Sequence, residues 1–140
     1  MGEVYSGFIC GYAVALISTP LLALSLLKMR TSGGILATLL PEGTSALSLC
    51  VILHMGLIFM WTGLGIILGL VLVAMDGKGP ALGSPNGPFT LFVFGLILAL
   101  TAPAILLMRQ LRPLTIACAL SAIIAFGWVL PLLAKMSDFD

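Results

Sequence analysis

The chain is 140 residues long, 61% hydrophobic and only 8% charged, where a soluble domain carries roughly a quarter charged residues. A mean hydropathy of +1.25 excludes a water-soluble domain of this size, and a formal net charge of +1 excludes a basic surface for nucleic acid. The charges sit at Glu3, Lys28, Arg30, Glu42, Asp76, Lys78, Arg109, Arg112, Lys135, Asp138 and Asp140. The four uncharged runs left between them each reach the roughly 18 to 20 residues that cross a hydrocarbon core of about 30 Å. The expected fold is an all-α integral membrane protein, one domain over 1-140, with four transmembrane helices in a compact bundle. The spans are expected at about 5-27, 46-75, 89-108 and 113-134.

The first span is stopped by Lys28 and Arg30. No basic region or small-residue cleavage site marks it as a removable signal, so it reads as a retained helix. Gly7, Gly11 and Ala15 fall on one stripe at four-residue spacing, with Tyr5, Phe8 and Tyr12 about a quarter turn away. Apolar side chains gain little by leaving lipid for protein, so close backbone approach at small residues is the docking signal to look for. Pro20 interrupts the backbone ladder, with Ser18 and Thr19 at hand for the freed carbonyl. The next loop contains an apolar piece, Ile35 to Leu40, too short to span, which reads as interfacial rather than re-entrant.

Thr44 or Ser45 is placed to cap the second helix. At about 45 Å its run exceeds the hydrocarbon thickness, so it tilts or protrudes. Gly65 and Gly69 share the face of His54 and Trp61, while Gly56 and Gly63 lie nearly opposite. Notches on both sides predict a central helix. A segment rich in glycine and proline from Gly77 to Pro88 then precedes the third helix, which offers Gly95, Ala99 and Pro103. A tight turn from Arg109 to Pro113 makes the third and fourth helices an antiparallel hairpin. The fourth carries Ala117, Ser121 and Ala125, then Pro131. A β-barrel is excluded because runs such as Ile66 to Val73 do not alternate in polarity.

An even number of spans puts both termini on one side. Lys28, Arg30, Arg109 and Arg112 oppose Lys78 and Lys135, so the positive-inside rule sets the first and third loops in the cytoplasm and both termini outside, in a plasma or bacterial inner membrane. Tyr5, Tyr12, Phe89 and Trp128, with Phe8 and Phe92, map to the outer third of their helices as an interfacial aromatic cluster. Glu42 falls at the same interface as Lys28, Arg30 and Arg109, in a surface ion network.

His54 is the ionisable side chain well inside a span, which makes it the candidate for proton relay, ligand binding or haem ligation. The plainer expectation is a neutral imidazole bonded to a carbonyl or hydroxyl within the bundle. Two-histidine haem ligation within one chain is impossible with a single His, and adjacent Met55 belongs to a different helical face. Trp61, two turns along, reads as packing. Cys10, Cys50 and Cys118 form no C-x-x-C motif and read as small apolar fillers. No triad, carboxylate pair, metal cluster or P-loop is present, so no catalytic or metal site is assigned and the chain reads as a non-enzyme.

Three functions remain. The first is an accessory, anchoring or assembly subunit held in the lipid bilayer with other transmembrane subunits, or a homo-oligomer. The second is a small transporter or channel with His54 lining the pathway. The third is a redox subunit binding quinone, lipid or haem at His54 or the outer aromatics.

Overall fold

The computed structural model describes residues 2–31, 43, 45–75, 87–107 and 111–137. Helix α1 is Gly2–Thr31, α2 is Ala46–Ala74 and α3 is Gly87–Leu107. The last stretch begins as α4, Arg112–Ile124, passes through a π turn, Ala125–Val129, and ends as α5, Leu130–Ser137. Among the described residues there is no strand. Four helical stretches are long and apolar enough to cross a membrane: Gly2–Lys28, Ala46–Ala74, Gly87–Leu106 and Arg112–Met136. The apolar segment Ile35 to Leu40, Glu42, Arg109 and most of the loop from Gly77 to Pro88 lie outside the described residues.

The helix ends follow local chemistry. Ser45 caps α2, its hydroxyl oxygen accepting from the Ser48 amide at 3.1 Å, which satisfies one of the orphan donors of a first turn. Pro113 stands within the first turn of α4, where a missing amide hydrogen costs nothing. Helix α1 runs unbroken through Pro20, and α3 through Pro103. The hydroxyls of Thr19 and Thr101 donate to Ala15 and Ile97. These are the carbonyls four residues before each threonine, so the ones freed by the two prolines, on Leu16 and Ala99, are left to other partners.

Pro131 has a different consequence. It withholds the amide hydrogen due to the Gly127 carbonyl, and its ring crowds that same oxygen. The helix widens into the π turn just before it, and Thr90 of α3 donates its hydroxyl to the Gly127 oxygen at 3.1 Å. A backbone defect in one span is thereby repaired from another.

Helix α1, rather than α2, occupies the middle. It packs along α2 on one side and against α4, the π turn and α5 on the other, while α3 rests on α4 and the π turn. The reason is that α1 has small or short side chains on two faces. Gly7 and Gly11 meet α2, and Cys10 and Ala13 face the last span across a shallow groove. The second pair of notches on α2, Gly56 and Gly63, has nothing within contact distance.

Leu68, Leu72, Val14, Phe126 and Leu130 are fully enclosed. Outward, the surface is as apolar as the interior: Phe59, Leu47, Leu106 and Leu91 are each more than 70% exposed. Continuous exposed apolar surface of this kind marks a membrane or protein contact.

Candidate functional site

The α1–α2 seam sets the register of everything near His54. A methyl group added at Gly7 would land on the Gly65 carbonyl oxygen, and one at Gly65 on the Gly7 carbonyl. Gly11 fits equally tightly against the backbone of Trp61 and Thr62, and Gly69 against Glu3 and Val4. Advancing along α1 therefore means retreating along α2, so the two helices are antiparallel. Continuing the same count brings Thr19 opposite His54. Their side chains meet, Thr19 Oγ1 lying 2.8 Å from His54 Nδ1.

Counting hydrogens fixes what the imidazole presents. Thr19 has one hydroxyl hydrogen, and its oxygen also stands 2.8 Å from the Ala15 carbonyl, which can only accept. Both contacts are satisfied together only when Thr19 donates to Ala15 and His54 Nδ1–H donates to Thr19. In neutral His54 the lone pair is then on Nε2. No hydrogen bond ties that nitrogen to any described residue.

His54 is half-buried and lines an open groove with Leu16, Thr19, Pro20, Cys50 and Met55. The groove encloses about 730 Å³, and its walls are almost wholly apolar. Met55 shares it with His54 although adjacent helical residues diverge, because the groove is wide and open on one side. Cys50, one turn before His54, is half-buried, and its thiol is free. Sequence reasoning reads Cys50 as an apolar filler and Thr19 as a partner for the carbonyl freed by Pro20, and ties neither to His54. The four-residue step from Cys50 to His54 was a usable signal, whereas Thr19 becomes visible only through the α1–α2 register.

The other singled-out residues disperse. Trp61 is buried and stacks on Phe126, with ring centroids 6.1 Å apart. Among the described residues its indole Nε1 has no hydrogen-bond partner. The aromatic set does not form one cluster: Tyr5, Tyr12 and Trp128 are exposed, while Phe89 is fully buried. Phe89 belongs to the stripe Phe89, Val93 and Ile97 by which α3 touches its neighbours. Gly56, Gly63 and Gly95 are open, Ala117 is exposed, and Ser121 bonds back to the Cys118 carbonyl at 2.8 Å. Among the described residues no group of three or more His, Cys, Asp or Glu side chains gathers as a metal site would require.

No known protein family, curated protein or solved structure matches the chain.

Proposed function

We propose that this is a multipass integral membrane protein, both termini extracytoplasmic and the third and fourth spans paired as a hairpin. It acts without catalysis, as an accessory, anchoring or assembly subunit bound to other transmembrane subunits or to itself. The observation that carries this reading is the division of the glycines. Gly7, Gly11, Gly65 and Gly69 are filled by neighbouring backbone, while Gly56, Gly63 and Gly95 meet nothing. An open glycine weakens a helix relative to alanine, and in lipid its use is to let another helix approach. The many exposed large apolar side chains around these notches are consistent with the same role.

The test is extraction in mild detergent followed by mass measurement of the intact assembly. The expected result is a stoichiometric partner or a homo-oligomer, lost in the Gly56→Leu, Gly63→Leu, Gly95→Leu triple variant without a fall in the chain's own unfolding temperature. A wild-type chain that runs alone sinks the reading. Orientation is checked by labelling an introduced thiol at exposed Tyr5, Tyr5→Cys, in a background lacking the three native cysteines. Native Cys10 is too deeply buried to report.

A second reading, transport or ligand binding, draws on the oriented imidazole at the groove. Under it, His54→Ala abolishes flux through reconstituted vesicles while the fold survives. A haem or quinone at the same groove would instead give a Soret band or an extractable quinone in the purified protein.

A further inference from the structure

Three side chains able to ligate a soft metal line the α1–α2 groove, and packing uses none of them fully: Cys50, His54 and Met55. Cys50 and His54 stand four residues apart on α2, where Cβ atoms are about 5 to 6 Å apart. That is the spacing at which two residues of one helix chelate a single ion, as in zinc-binding H-E-x-x-H helices. The Cys50 thiol is free. His54 is held by its other ring nitrogen, which donates to Thr19, and Thr19 in turn donates to Ala15. Metal-binding histidines are oriented in just this way, one nitrogen on the metal and the other on a hydrogen-bond acceptor.

We infer that Cys50 Sγ and His54 Nε2 bind a monovalent soft metal ion, Cu(I), with Met55 directed to a different face of α2. Charge and coordination number both select it. On binding, the Cys50 thiol releases its proton to water and the thiolate takes the metal, and no electron is transferred. One copper charge, one thiolate and a neutral imidazole sum to zero, which suits an apolar wall where an uncompensated charge is costly. Zn(II) with these two ligands would keep a net positive charge and lack half of its four ligands. Among the described residues no further His, Cys, Asp or Glu joins the group to supply either. Thiolate sulfur is a soft donor that favours Cu(I). This inference is independent of the subunit role proposed above.

The test is a titration of the purified full-length chain in detergent with Cu(I), kept reduced by ascorbate and held in competition by bicinchoninate. One Cu(I) per chain is expected to leave the chelator, and excess Zn(II) is expected not to displace it. Thr19→Val should weaken binding roughly 10- to 100-fold, the usual cost of losing the orienting partner of a metal ligand. Cys50→Ser and His54→Gln, which remove ligands, should weaken it further. X-ray absorption on the wild-type complex, which needs no variant to fold, should show sulfur at about 2.3 Å and nitrogen at about 2.0 Å, distances typical of soft-metal protein sites. The proposal is overturned if the wild type leaves all copper on the chelator. It is equally overturned by a sulfur-only shell, which would exclude His54 as a ligand, or by Cys50→Ser binding as tightly as wild type, which would exclude Cys50.

Discussion

Helices α1 and α2 meet backbone to backbone, at Gly7 with Gly65, at Gly11 with Trp61 and Thr62, and at Gly69 with Glu3 and Val4. Helix α3 meets its neighbours through side chains, the stripe Phe89, Val93 and Ile97 and the hydroxyl of Thr90. Both regions are strongly apolar, yet 39% of the most apolar window of each of the first two spans is buried against 17% of the third. Hydropathy does not rank these contacts, because an apolar side chain is nearly as well solvated by lipid as by protein. Closeness of approach does. The α1–α2 seam is the closer contact, and α3 is the element least covered by the rest of the chain.

The largest expected effect is at the point where the last span reaches that seam. Phe126 stacks on Trp61 and lies where a methyl group on Gly65 would reach, so Phe126→Ala should cost about 3 kcal/mol through the cavity and packing contacts alone, measured by unfolding in mixed micelles. A loss below about 1 kcal/mol, less than any such core truncation, would mean that the last span contributes little to the seam.

Gly65→Ala should cost about 2 to 3 kcal/mol, as overpacking generally does, because the new methyl meets a carbonyl oxygen and an aromatic ring rather than the tip of a flexible side chain. Neutral behaviour there would break the distinction between the two regions. Next in size is the Thr19–His54 pair. A double-mutant cycle with Thr19→Val and His54→Ala should give a coupling of about 0.6 to 1.7 kcal/mol, the range for hydrogen bonds between membrane helices. A coupling of zero would remove the tautomer assignment along with the contact. The smallest effect belongs to α3. Gly95→Ala meets nothing within the chain and should be neutral or stabilise by up to about 1 kcal/mol through helix propensity. Destabilisation in the isolated chain would show that this face is already occupied.

Much of this was legible before any coordinates. Three charged breaks separate four apolar runs, Thr44 or Ser45 marks the start of α2, and Gly7 with Gly11 marks a docking stripe. What sequence could not assign was which side of each helix turns inward. In a soluble bundle polar residues mark the outer face, but here Leu91 faces out and Phe89 faces in, with no difference in polarity to tell them apart. Hence Phe89 was grouped with the exposed aromatics, and α2 was given the central place that α1 occupies. The sequence puts the glycines of α2 on two opposite faces, and only the packing shows that the face of Gly65 is filled and that of Gly63 open. The site was half legible: His54 stood out as the ionisable group within a span, whereas Thr19 is remote in sequence and needed the helices to be paired.

Because a π turn holds one residue more than an α turn, the fourth span carries an insertion inside a continuous helix. Straightening Ala125 to Val129 to ordinary pitch with every residue kept would rotate each position beyond it by about 100° relative to those before it. Leu130 and Ala134, now fully or nearly enclosed, would then swing toward a different neighbour, and the Gly127 carbonyl would lose its alignment with Thr90. At this point chain length acts as an angular setting, so the two halves of one span are phased separately, each to its own partner.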